Sequence, residues 1–140
     1  MRGDDFEIRR WTGFGVILPN GFVLTRTSGE WSAIRLDWKV SENRQGNRDL
    51  KPINIKLDAP KSGWEVAWQK LVDAGILTLP DAEKINCSGR TVDGISYVVE
   101  YKLKNTYRTY MYDNPQNADC DEAKLMMEIN RIIAKEFYKR

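Results

Sequence analysis

The sequence predicts an α+β fold: an antiparallel sheet, built from an N-terminal meander and a later hairpin, packed by two amphipathic helices. Three observations predict it. Short alternating stretches separated by tight-turn residues fill the N-terminal region up to Leu57. Two apolar stripes at helical spacing begin near Ser62 and Asp119. Between them, residues 95–113 read as a hairpin. The chain has 140 residues, and no linker or repeat divides it, so 1–140 reads as one α+β domain.

Taken in order, the first ten residues are polar apart from Phe6 and Ile8, and are expected to precede the sheet. Arg2-Gly3-Asp4 matches the tripeptide of integrin ligands, but three residues at a terminus recur by chance. Residues 11–18 form the first expected strand, with Phe14, Val16 and Leu18 on one face. Pro19-Asn20-Gly21 turns the chain, since Asn and Gly tolerate positive φ. Residues 22–27 and 31–38 continue the meander around Ser28-Gly29. Gly13-x-Gly15 is not a phosphate loop, because no helix N-terminus follows it. Residues 41–49 are polar and read as a surface loop, and Ile53, Ile55 and Leu57 alternate as a fourth strand.

Ser62 with Glu65 has capping-box spacing, and Trp64, Ala67, Trp68, Leu71 and Val72 form one stripe. That stripe assigns Trp64 and Trp68 to the core. Gly75 supplies the left-handed stop, after which Ile76, Leu77 and Leu79 fold back before Pro80. A two-residue turn at Lys104-Asn105 sets a hairpin register with Leu103 opposite Thr106, Tyr101 opposite Arg108, Val99 opposite Tyr110 and Tyr97 opposite Tyr112. Asp119 with Glu122 is a second capping box, opening a helix striped by Met126, Ile129, Ile133 and Phe137.

Composition narrows function by exclusion. The chain has no histidine, which removes serine–histidine and cysteine–histidine nucleophile systems together with the commonest metal ligand. No catalytic residue, cofactor or metal site is assigned. Net charge is +2, which gives no electrostatic case for nucleic acid. No apolar run approaches the roughly 20 residues that span a bilayer, and no charged-then-apolar signal segment opens the chain. Residue 1 reads either as a natural start or as a methionine placed where a signal was removed.

Cys87 and Cys120 flank the hairpin, which brings them within reach once the strands pair. The reading favours a disulfide, and hence an oxidising compartment, over two unrelated thiols; a reactive Cys120 at a helix N-terminus is the third alternative. Tyr97, Tyr101, Tyr107, Tyr110 and Tyr112, interleaved with Lys102, Lys104 and Arg108, could face a protein or peptide partner. They could equally be the aromatic load that an antiparallel hairpin carries for structure. Glu100 and Asp93 are the candidate carboxylates for catalysis, but Glu100 is expected to pair with Lys102, Arg108 or a helix residue, and Asp93-Gly94 to serve a turn.

The C-terminal half also carries a family resemblance. Trp64, Trp68 and Leu71 precede Leu79-Pro80-Asp81; Asp93-Gly94-Ile95-Ser96-Tyr97 leads to Glu100; then come Tyr107-Arg108-Thr109-Tyr110 and Asn114-Pro115 before a terminal helix. This resembles small bacterial proteins of uncharacterised role, many made as secreted proteins or lipoproteins. The resemblance implies a bacterial, extracytoplasmic origin and carries no catalytic residue. The expected function is a non-enzymatic binding module. The alternatives are a cytosolic inhibitor or immunity-type protein, for which a reduced cysteine pair would speak, and a carboxylate-based hydrolase.

Overall fold

The computed structural model describes residues 5–13, 19–87 and 94–138. Six strands form one antiparallel sheet in the order β4-β3-β2-β1-β5-β6. They are β1 (Phe6–Gly13), β2 (Asn20–Thr27), β3 (Glu30–Glu42), β4 (Arg48–Lys56), β5 (Ser96–Leu103) and β6 (Thr106–Asp113). Two helices, α1 (Trp64–Asp73) and α2 (Asp121–Phe137), complete the α+β fold. The N-terminal meander thus runs outward from β1 on one side, and the hairpin returns to pair with β1 on the other.

One face of the sheet carries the core. Phe6, Ile8 and Arg10 on β1 share that face with Phe22 and Leu24 on β2, Ala33 on β3 and Val99 and Tyr101 on β5, and all eight are buried. The helices lie over it. Phe6 stacks on Trp68 with centroids 4.3 Å apart, Trp31 on Trp64 at 5.8 Å, and Phe22 meets Phe137 at 4.8 Å. Both helix tryptophans therefore pack against the sheet, as their stripe requires. The opposite sheet face is covered by neither helix stripe.

Two sequence expectations about the sheet need correction. The first strand, Phe6–Gly13, begins before the expected Trp11, and the expected stretch 14–18 lies outside the described residues; Glu7 and Arg9, turned to the open face, and Arg10, buried by its long stem, disguise the alternation of Phe6 and Ile8. Phe14, Val16 and Leu18 lie outside the described residues, as does Arg2-Gly3-Asp4. The expected loop at 41–49 is narrower than the sequence suggests: β3 continues to Glu42 and pairs Ser41 with Asp49 and Glu42 with Arg48, which leaves 43–47 as the turn. Only the tip turns, and there the Asn43 side chain accepts from the backbone N–H groups of Gln45 and Asn47. Polar residues at the solvated end of a long hairpin lack the apolar alternation that marks a strand.

Neither capping box forms as expected. The α1 N-cap is Gly63, with no side-chain bond. Ser62 instead gives its N–H and hydroxyl to Glu136 of α2, each at 2.8 Å. The α2 N-cap is Cys120, whose sulfur accepts from the Ala123 N–H at 3.3 Å. The α1 C-terminus does follow its sequence signal. Gly75 has φ 94°, its N–H bonds to the Val72 carbonyl, and the Ile76 N–H reaches back to Leu71, the Schellman pattern.

Candidate interaction surface

The β5–β6 register is the one predicted, with Leu103 opposite Thr106, Tyr101 opposite Arg108, Val99 opposite Tyr110 and Tyr97 opposite Tyr112. Its consequence is that the tyrosines divide. Val99 is fully buried, so its partner Tyr110 and the alternate residues Tyr97, Tyr101 and Tyr112 turn to the helix-covered face. Tyr101, Tyr110 and Tyr112 are core residues, Tyr97 packs against the core half-buried, and only Tyr107 projects from the open face. Tyr101, Tyr110 and Tyr112 are thus placed away from the surface on which a partner contact was expected.

Those buried hydroxyls have a structural task. The chain after α1 runs from Ile76 to Pro80 without regular hydrogen bonding to a strand, so its carbonyls need donors. Tyr110 donates to the Ile76 carbonyl at 2.7 Å, Tyr101 to Leu77 at 2.9 Å and Tyr112 to Pro80 at 2.7 Å. Arg108 donates to the carbonyls of Leu77 and Leu79 and stacks over the Tyr110 ring. Burial raises the Tyr110 hydroxyl far above its ordinary pKa and pushes Tyr112 up to about 12, so both remain protonated donors. Sequence spacing places these residues on one face but contains no sign of the segment they hold.

The cysteines are paired. Cys87 and Cys120 form a disulfide with Cα atoms 6.0 Å apart, closing a separation of 33 residues. The bond ties the stretch after a 3-10 turn (Ala82–Ile85) to the first turn of α2. The bound sulfur of Cys120 serves as a cap acceptor and not as a nucleophile.

On the open face, β1, β5 and β6 bring Trp11, Glu100 and Tyr107 together. The Glu100 carboxylate accepts from the Trp11 ring N–H at 2.6 Å and from the Tyr107 hydroxyl at 2.7 Å. Glu100 therefore pairs with neither Lys102 nor Arg108. The Tyr107 bond, foremost, holds its pKa below the ordinary carboxylate range, with Trp11 and Arg9 assisting against partial burial. A shallow depression of about 260 Å³ beside it is lined by Glu7, Arg9, Glu100, Lys102 and Tyr107. It holds two carboxylates, but Glu100 is kept ionised, the opposite of what a general acid requires. Asp93 lies outside the described residues.

The apolar surface concentrates elsewhere. Among the described residues nine large apolar side chains are exposed, and five of them, Trp38, Val40, Leu50, Ile53 and Ile55, lie on β3 and β4. Register explains the grouping: Trp38 sits opposite Pro52 and Val40 opposite Leu50, so four apolar residues form one patch on the open face. Ile53 and Ile55 occupy the other face of the same hairpin. The free edge of β4 is blunted. Leu57 donates to the Ala33 carbonyl, so odd residues of β4 bond to β3 and even ones face outward, where Pro52 has no N–H to offer.

Among the described residues no helix is long and apolar enough to cross a membrane, and no group of histidine, cysteine, aspartate and glutamate could hold a metal ion. No protein-family model and no curated protein sequence matches this chain.

Proposed function

We propose that this protein is a non-enzymatic binding module that acts in an oxidising, extracytoplasmic compartment and docks a protein or peptide partner on the outer end of its sheet. The observation that carries the reading is the cluster of Trp38, Val40, Leu50 and Pro52 on the open face of β3–β4. Isolated apolar residues on a surface are ordinary, but a contiguous group centred on a tryptophan is the usual anchor of a recognition surface. Pro52 blocks strand addition along the edge, so the partner lies across the face. The near-neutral charge of the chain suits a protein partner and not a nucleic acid. The disulfide supports the compartment.

Panning a displayed peptide library against the intact protein tests the docking face. Selected peptides should bind Trp38→Ala or Leu50→Ser at least thirtyfold more weakly, the loss of roughly 2 kcal/mol typical of a central anchor. Equal binding to both variants, or no enriched peptide, removes the reading. Counting free thiols in protein taken from its native source tests the compartment: none should be found. Two free thiols would favour a cytosolic inhibitor instead.

A further inference from the structure

A second surface, unconnected with that patch, centres on a buried cation. Arg10 of β1 is only 4% exposed. Arg10 pairs with Phe22, which pairs with Arg35 of β3, so the two arginines stand in one row beneath α2. Arg10 donates to the Asn130 side-chain carbonyl at 2.7 Å and, over a longer 3.4 Å, to the Tyr138 hydroxyl. Arg35 stacks on the face of the same Tyr138 ring, 5.0 Å from its centroid. Two guanidinium groups therefore flank one phenol at the C-terminal end of α2. The Nε of each is shielded from solvent and has no acceptor among the described residues.

Among the described residues the charge does not balance. The groups facing Arg10 are Tyr97 of β5, Asn130 and Tyr138 of α2 and Arg35 of β3. None is an acid. Among the described residues the carboxylate that reaches the cluster is Asp37, and it pairs with Arg35 at 3.4 Å. The carbonyl end of α2 supplies roughly half a negative charge at most. A guanidinium cannot shed its proton to escape burial, and buried charges are normally paired. The side chains of Arg35 and Asp37 are both more than a third exposed, so the cluster opens to solvent on that flank.

We propose that Arg10 and Arg35 form a binding site for a small oxyanion at the C-terminal end of α2. The anion enters beside Tyr138, takes Arg35 from Asp37, and bridges the two guanidinium groups. Planar donor forks suit both carboxylate and phosphate oxygens, so the site recognises the shared oxyanion chemistry.

The test uses the full chain at constant ionic strength, with sodium phosphate or sodium acetate replacing sodium chloride. A ligand of the folded state lowers the unfolding equilibrium constant about a hundredfold at a hundred times its Kd. One or both anions should stabilise the protein saturably and shift the Nε–H resonances of Arg10 and Arg35; which one does so names the ligand type. Arg35→Gln, at a half-exposed position, should keep the fold and lose both effects. The idea is overturned if neither anion exceeds chloride, or if Arg35→Gln responds like the parent protein.

Discussion

The hydroxyl of Tyr110 donates to the carbonyl of Ile76 across 2.7 Å, and both residues are fully buried. The bond joins the middle of β6 to the segment that leaves α1, which is 34 residues away in sequence. It is the innermost of a set of donors from the hairpin, with Tyr101, Arg108 and Tyr112, that satisfy carbonyls between Ile76 and Pro80. The hairpin tyrosines thereby fix how the chain that leaves α1 returns to the sheet.

Tyr110→Phe keeps the ring and removes the donor. A buried carbonyl left without its partner costs about 1–3 kcal/mol. Urea unfolding should show that loss as a lower midpoint at unchanged slope. Tyr107→Phe, at a position 65% exposed, should stay within about 0.5 kcal/mol of the parent. Equal effects at the two positions would contradict the division of the tyrosines between faces.

Glu136 makes the acid side of stability. Its carboxylate sits on α2 and accepts from Lys70 and from the N–H and hydroxyl of Ser62, each at 2.8 Å. Burial raises its pKa, but the Lys70 bond and the two Ser62 bonds outweigh that and leave it below the ordinary 4.5. A depressed folded pKa means the contribution is fully present above about pH 4.5 and is lost as pH falls through the lower folded value. Glu136→Gln should therefore cost roughly 1–2 kcal/mol at neutral pH, a figure reduced because Lys70 is half exposed. The variant should also show a flatter decline of stability below pH 4.5. A parallel decline in both proteins would mean that other carboxylates set the acid limit.

Opening the disulfide lengthens the free chain. The loop of 33 residues corresponds to about 3–4 kcal/mol in the chain-entropy treatment. Cys87→Ala with Cys120→Ala should lower stability by that order, and reduction of the parent protein should reproduce most of it. The double variant also removes the sulfur that caps α2, so Cys87→Ala with Cys120→Ser, which restores a capping oxygen, should recover about 0.5–1 kcal/mol. No recovery would mean the Ala123 contact contributes nothing.

Gly21 faces Trp11 on the open side. A Cβ built there would lie 2.8 Å from two atoms of the indole, so the ring must move. Gly21→Ala should cost about 1–3 kcal/mol through overpacking, and should change tryptophan fluorescence because the displaced indole loses its bond to Glu100. Unaltered stability and emission would show that the ring has room to shift.

The sequence by itself determined the local elements whose signals are contiguous. The stripe from Trp64 to Val72, the stop at Gly75, and the hairpin register about Lys104-Asn105 all depend on residues a few positions apart, and each holds in the fold. The same alternation already contained the face assignment: once Val99 is apolar and opposite Tyr110, the tyrosines at 97, 101, 110 and 112 share its side. What only the tertiary structure decided is which elements meet. Pairing of β1 with β5 brought Trp11 to Glu100. Packing of α2 over the sheet drew Ser62 away from its own helix to Glu136, because a buried carboxylate with an exposed lysine needs further donors. The extension of β3 and β4 escaped notice because Val40 and Leu50 stand there singly among Lys39, Ser41, Glu42, Arg48, Asp49 and Lys51, too sparse an alternation to read as a strand.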